Sequence, residues 1–81
     1  MEPRYVIINE HDQPTLSFDQ IEDCKDWIAE DEFHVTREEL EKMCSRSRYH
    51  HSFGAFRAAD GRTREIVSTE EFETQGEVLL R

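Results

Sequence analysis

Glycine, proline and cysteine are all scarce in this chain. Its 81 residues include three glycines, two prolines and two cysteines, and no glycine precedes Gly54. The scarcity of glycine excludes a glycine-rich phosphate loop and the usual calcium loop, which needs a central glycine. Two cysteines, Cys24 and Cys44, are too few for a disulfide framework, so we expect both to be reduced thiols packed in the core.

A long apolar run is also absent. No window approaches the roughly 20 residues that span a bilayer, and the first residues do not have the pattern of a secretory signal. We therefore expect a cytoplasmic protein that does not bind membranes. A chain of 81 residues makes one domain, residues 1–81, and is too short to favour a large enzymatic cleft.

Charge is abundant but unevenly distributed. The chain has 19 acidic and 10 basic residues, a formal net charge of −9. Residues 10–41 carry a net charge of −10, residues 42–64 carry +5, and residues 65–81 carry −4. A negative protein repels nucleic acid and anionic membranes, so a basic protein is the expected partner.

Periodicity and turn signals predict the secondary structure. RYVIIN (residues 4–9) and TLSF (residues 15–18) have the composition of two strands. The first helix should begin within SFDQ (residues 17–20), where two capping patterns compete. VTREEL (residues 35–40) contains a capping box and a hydrophobic staple, so a second helix should begin there, with Arg46 and Arg48 in its last turn.

The second half of the chain predicts further strands. Two strand-like arms flank Asp60-Gly61, a pair suited to a type I′ hairpin turn. TEEFET (residues 69–74) should form a short helical turn, and EVLL (residues 77–80) a last strand. The order is β-β-α-α-β-β, a short turn and β. We predict an α+β fold, with two helices packed on one face of a small antiparallel sheet. The predicted core consists of Ile7, Ile21, Cys24, Ile28, Leu40, Met43, Cys44 and Phe53.

The acidic stretch DQIEDCKDWIAEDEF, residues 19–33, holds seven carboxylates and one lysine. A solvated helix face usually mixes lysine with glutamate and gains stabilising i,i+4 pairs, whereas this stretch has Lys25 alone. We predict that it binds a protein with a basic surface, the alternative being an ordinary solvated face. The predicted partner-binding residues are Asp19, Glu22, Asp23, Asp26, Glu30, Asp31 and Glu32.

Residues 42–64 form a second candidate surface, in which cations alternate with aromatic residues. This composition is typical of nucleic-acid binding, although the net negative charge of the chain opposes it. Self-association of this surface with the acidic stretch of another copy is a further alternative, so we expect a monomer or a homodimer. The basic and aromatic patch consists of Arg46, Arg48, Tyr49 and Arg57.

Metal binding and catalysis have weaker support. Cys24, Cys44, His50 and His51 are the right types of ligand for zinc, but the two cysteines are too far apart for the usual pairs of zinc ligands. No pattern marks an activated cysteine or an oxyanion site. We therefore predict neither a metal site nor a cofactor nor an enzymatic activity.

In size, charge and layout this acidic α+β chain, with its carboxylates concentrated in residues 19–33, resembles the small bacteriophage proteins that inhibit host machinery, such as anti-CRISPR and other host-takeover proteins. The resemblance covers the whole chain but includes no motif, so it transfers no site residue. It implies an inhibitor that binds a host protein in the host cytoplasm, by imitating nucleic-acid charge. The alternatives are a small regulatory nucleic-acid-binding protein that uses residues 42–64 and a bacterial housekeeping interaction domain.

Overall fold

The computed structural model describes residues 4–73, which form one antiparallel sheet with helices packed on it. The α+β class and the order β-β-α-α-β-β are confirmed, and the strand predicted in EVLL lies outside the described residues. The elements are β1 (Tyr5–Asn9), β2 (Pro14–Phe18), α1 (Ile21–Trp27), a π-helical segment (Ile28–Phe33), α2 (Arg37–Glu41), β3 (Gly54–Arg57) and β4 (Thr63–Ser68). Residues 69–73 are helical too.

The strands lie in the order β2-β1-β4-β3, so the first strand pairs with the last of the four. Ile7 of β1 is opposite both Leu16 of β2 and Ile66 of β4. Because successive side chains of a strand point to opposite faces, this register places Ile7 and Ile66 on one face and Val6 and Val67 on the other.

The helices cover the face that carries Ile7 and Ile66. Burial of each large apolar side chain there contributes about 1.5–3 kcal/mol. The buried cluster consists of Ile7, Cys24, Ile28, Ala29, Phe33, Leu40, Phe56, Ala58 and Ile66. Four of the predicted core residues belong to it, and Met43 packs against it. The predictions for Cys44 and Phe53 are wrong, since Cys44 is exposed and 41% of the Phe53 surface is accessible. Ile21 is half-buried and belongs to neither buried cluster of the described residues.

The opposite face of the sheet is also covered. Val6, Ile8 and Val67 form a second buried cluster with Tyr49, and Phe72 packs against it. Tyr49 comes from the irregular chain between α2 and β3, and Phe72 from the helical residues 69–73. The central strands β1 and β4 are therefore covered on both faces of the sheet.

Helix α2 begins as predicted but ends early. The Thr36 side chain accepts the Glu39 backbone N–H, and the Glu39 side chain accepts the Thr36 N–H, so the capping box is confirmed. The backbone N–H of Thr36 is the main cause that lowers the pKa of Glu39. The helix ends at Glu41, so the prediction that Arg46 and Arg48 lie in its last turn is wrong.

Backbone pairing with β3 explains why α2 ends early. The Arg57 N–H donates to the Met43 carbonyl at 2.8 Å, and the Ser45 N–H donates to the Ala55 carbonyl at 2.7 Å. An extended backbone is needed for these bonds, so residues 43–45 cannot continue the helix. They close the outer edge of β3 and leave the Cys44 side chain exposed.

The hairpin between β3 and β4 is confirmed, but its predicted turn type is wrong. A type I′ turn requires positive φ at both central residues. Gly61 has φ 93°, whereas the positive non-glycine φ angles within residues 4–73 are at Asp12 and His34. Gly61 N–H bonds to the Ala58 carbonyl, and Ala58 N–H bonds to the Arg62 carbonyl. This is the pattern of a three-residue loop with glycine in the left-handed position.

Candidate interaction surface

Helix α1 carries three of the seven carboxylates of the acidic stretch, Glu22, Asp23 and Asp26. Its N-cap is Gln20, within the predicted SFDQ, and no side chain caps it, so neither predicted capping pattern forms. Glu22 and Asp23 lie in the first turn, where carboxylates interact favourably with the helix dipole. Its buried side faces the sheet through Cys24, and Asp19 and Asp23 are exposed.

Arg37, the first residue of α2, neutralises part of this surface. Its Nη1 lies 2.7 Å from Asp26 Oδ1, and its Nη2 lies 2.7 Å from Glu22 Oε2. The hydrogen bond that Arg37 donates to Asp26 is the main cause that raises the pKa of Arg37 above its ordinary value. Lys25 Nζ lies 3.5 Å from Glu41 Oε1, so a second cation bridges the two helices. A cation from outside residues 19–33 therefore neutralises part of the acidic stretch.

The π-helical segment turns one carboxylate inward. A π-helix bonds residue i to residue i+5, so positions five apart lie on one side. Glu32 follows Trp27 by five residues, and its Oε1 accepts the indole Nε1–H at 3.2 Å. Its other oxygen pairs with Arg64 of β4, and the two side chains are only 13% and 12% exposed. Glu32 thus lies in an internal network instead of on an open surface.

The same network extends to the loop after β1. Arg64 Nη1 lies 3.1 Å from Glu10 Oε1. Burial alone would raise the pKa of Glu10, but the charge of Arg64 and its hydrogen bond outweigh that effect and lower the pKa. The guanidinium groups of Arg62 and Arg64 lie 5.3 and 5.8 Å from the centre of the Phe33 ring. Arg64 of β4 and Arg62 of the loop before it therefore hold the π-helical segment against the sheet.

Four of the seven predicted acidic residues remain exposed and have no ion-pair partner within residues 4–73. Glu22, Asp26 and Glu32 have the arginine partners described above. The carboxylates of Asp19, Asp23, Glu30 and Asp31 are exposed. Within residues 4–73 these four make no ion pair or side-chain hydrogen bond. We call these four residues the acidic face.

The predicted basic and aromatic patch is not assembled as one surface. Tyr49 is 6% exposed and belongs to the second buried cluster. Arg48 Nη2 lies 2.8 Å from Asp12 Oδ2. Arg46 and Arg57 are exposed, and neither has an ion-pair partner within the described part of the chain. The exposed part of the patch therefore has cations but lacks the aromatic ring on which a base would stack.

A polar cavity lies beside Tyr49 that sequence reasoning did not find. Its volume is about 50 Å³, room for only a few water molecules. Burial and the nearby Asp12 and Glu65 carboxylates raise the pKa of Tyr49. Tyr49 Oη and Asp12 Oδ1 are buried and have no hydrogen-bond partner in the described residues. Glu65 accepts from Ser47 Oγ at 2.6 Å and from the Arg48 N–H at 3.1 Å.

The two cysteines occupy different environments. Cys24 is fully buried, and burial, with a smaller effect of Asp23, raises the pKa of its thiol to about 11. Cys44 is exposed, and its Sγ–H donates to the Glu41 carbonyl at 3.1 Å. Residues 4–73 contain no group of three His, Cys, Asp or Glu side chains placed to hold a metal ion. The four zinc ligands considered above are thus not brought together.

Comparison with protein families, with curated proteins and with solved structures found no match for this chain. In the described part of the chain, no helix has the length and apolar character needed to cross a membrane.

Proposed function

We propose that this chain is a small, non-enzymatic interaction protein whose acidic face binds a basic surface on a partner protein and inhibits the partner by occupying that surface. The main support is the selective neutralisation of its carboxylates. Arg37 and Arg64 pair with Glu22, Asp26 and Glu32. The other four carboxylates, Asp19, Asp23, Glu30 and Asp31, have no ion-pair partner within residues 4–73.

Electrostatic cost supports the same proposal. The helical backbone continues without a break from α1 to the end of the π-helical segment at Phe33. Glu30 and Asp31 lie near that end, the negative end of the helix dipole, where carboxylates are unfavourable. A partner that brings lysine or arginine to this region would relieve the repulsion. Attraction between opposite patches acts mainly on the association rate and specificity.

The nature of the partner is the second part of the proposal. We take it to be a host protein whose basic surface ordinarily binds nucleic acid, and the chain to be phage-encoded. This part rests on the resemblance in size, charge and layout to small phage inhibitors. Direct nucleic-acid binding by this chain has weaker support because Tyr49, the aromatic residue of the basic patch, is buried.

Capture of a partner from host lysate, with and without nuclease, is the first test. We expect a specific protein to be captured in both conditions. Association kinetics are then measured for a variant that carries Asp19→Asn, Asp23→Asn, Glu30→Gln and Asp31→Asn. We expect its association rate to fall about tenfold at low salt and to depend less on salt.

Arg37 provides a matched control, because the carboxylates that it neutralises should contribute less to steering. A variant with Glu22→Gln and Asp26→Asn removes two charges, as does a variant with Asp19→Asn and Asp23→Asn. We expect the second pair to slow association more than the first. If the two pairs slowed association equally, or if the fourfold variant had an unchanged association rate, the acidic face would be an ordinary solvated surface.

A further inference from the structure

The sheet has an open edge at β2. In the described residues β2 pairs only with β1, whereas residues 43–45 close the outer edge of β3. An open edge presents backbone N–H and C=O groups that can pair with another strand. Strand β2 is therefore the place where residues 4–73 offer backbone hydrogen bonds to a partner.

Strand β2 lacks the charged side chains that commonly protect an edge. Proteins usually place charges, bulges or prolines on such strands. Pro14–Phe18 contains no charged residue. Its proline and its bulge lie at the beginning of the strand, because Ile7 and Ile8 of β1 are opposite Leu16 and Pro14 and Thr15 is the extra residue. The edge from Leu16 to Phe18 is thus left open, and Leu16 is 37% exposed.

Negative charge flanks this edge. Asp19 follows β2 directly. On α1, the ion pairs of Glu22 and Asp26 mark the side that faces α2. Trp27 lies on the side toward β2, since its ring centre is 6.2 Å from that of Phe18. Asp23 precedes Trp27 by four residues, one helical turn, and therefore lies on the same side.

We propose that a basic, extended peptide segment of the partner protein docks on β2 as a fifth strand, with its lysine or arginine side chains directed to Asp19 and Asp23. This proposal deepens the proposed function and rests on it. Backbone pairing would supply affinity, and the two carboxylates would select cations at every second position, because alternate side chains of a strand share a face.

Charge also argues against a second copy of this chain as the occupant. Pairing of β2 with β2 of another copy would bring two α1 helices, and both sets of carboxylates, toward one seam. Each copy carries a net charge of −9, so this pairing is repulsive. A basic segment meets the same edge with attraction.

The test uses the full chain and a synthetic peptide of about ten residues that alternates lysine with threonine. A second peptide has the same sequence with N-methyl groups on alternate backbone nitrogens, which removes donors and blocks strand pairing. We expect the first peptide to bind and to slow amide hydrogen exchange at Ser17, whose backbone N–H points away from β1. We expect the N-methylated peptide to bind about tenfold more weakly, because it cannot donate hydrogen bonds to β2.

A pair of variants tests the charges with equal changes in net charge. Asp19→Asn with Asp23→Asn should weaken binding of the lysine peptide about tenfold, and Glu38→Gln with Glu73→Gln should change it less than about twofold. Glu38 and Glu73 are exposed carboxylates outside α1 and the π-helical segment.

Four results would overturn the strand proposal. Equal binding of the N-methylated peptide would overturn it and leave the acidic face as a basic-partner site. No binding of the lysine peptide, together with an unchanged rate in the fourfold acidic-face variant, would overturn both proposals. Slow exchange of the Ser17 amide in the protein alone would show an edge that is already occupied. Such protection growing with protein concentration would identify a second copy as the occupant.

Discussion

Arg64 offers the most informative single perturbation, because one guanidinium holds two carboxylates. It pairs with Glu32 of the π-helical segment and with Glu10 of the loop after β1, and only 12% of its side chain is exposed. Arg64→Met keeps much of the apolar stem but removes the charge. Both carboxylates would then stay in a partly buried site without a cation.

The expected loss in the free energy of unfolding is about 3 kcal/mol, the low end of the range for breaking a buried ion pair, because both side chains keep some contact with water. The total stability of a domain of this length is about 4–12 kcal/mol. The Arg64→Met variant should therefore fold, with a clearly lower stability. Arg46→Met removes a charge from an exposed side chain and should change stability by less than about 0.5 kcal/mol.

A second substitution, Glu32→Gln, should change the free energy of unfolding in opposite directions in the wild type and in the Arg64→Met variant. Glu32→Gln alone should destabilise the protein by about 1–2 kcal/mol, because a charge-assisted hydrogen bond becomes a neutral one. In the Arg64→Met background the same change should stabilise the protein, since it removes an uncompensated carboxylate.

Urea unfolding is followed by the fluorescence of Trp27, the single tryptophan. It is measured for the wild type, for the single variants Arg64→Met and Glu32→Gln, for their double variant and for the control Arg46→Met. Urea is uncharged and does not screen the ion pairs. If Glu32→Gln had the same effect in both backgrounds, the coupling between Glu32 and Arg64 would be refuted.

Three further predictions concern the core, the thiols and acid stability. Leu40→Ala should cost about 2–5 kcal/mol, because Leu40 is fully buried, and an unchanged urea midpoint would contradict the packing. Native alkylation followed by mass spectrometry should modify Cys44 quickly and Cys24 only on unfolding; equal rates would contradict the burial of Cys24. Because folding lowers the pKa of Glu10, the contribution of the Glu10 carboxylate to stability is complete above its unfolded pKa of about 4.5. That contribution is lost as the pH falls through the lower pKa of the folded state. The stability difference between wild type and Glu10→Gln should accordingly shrink between about pH 7 and about pH 3.5, and a constant difference would contradict the ion pair.

Local signals were sufficient to predict some elements of the fold. The start of α2 depends on Thr36 and Glu39, which are three residues apart, and the structure contains both reciprocal hydrogen bonds. The position of the second hairpin depends on Gly61, which supplies the positive φ that the loop needs. Each of these features is determined within a few residues, which is why sequence reasoning could locate it.

Non-local contacts decided the features that sequence reasoning missed. Helical periodicity continues past Glu41, but the carbonyl of Met43 and the N–H of Ser45 pair with β3 instead of extending the helix. The π-helical winding has no distinct periodicity in the sequence. In the folded chain it brings Glu32 to Arg64, more than thirty residues away in the sequence.

The same distinction governs the candidate site. A charge count along the sequence treats the seven carboxylates of residues 19–33 as equivalent, because the cations that oppose them lie outside that stretch. Folding brings Arg37 to Glu22 and Asp26, and Arg64 to Glu32, so the count overestimates the open charge.

The four carboxylates of the acidic face differ from the others because the described chain provides them with no cation. A fold that only needed solubility would gain from pairing these residues too, since mixed charges keep a surface soluble without repulsion. Arg46 and Arg57 are exposed and have no ion-pair partner within residues 4–73, so cations are available on this chain but are not directed to that face. The uncompensated charge is therefore a property of one region of the surface, beside an open strand edge, which is the arrangement that a basic strand of a partner would recognise.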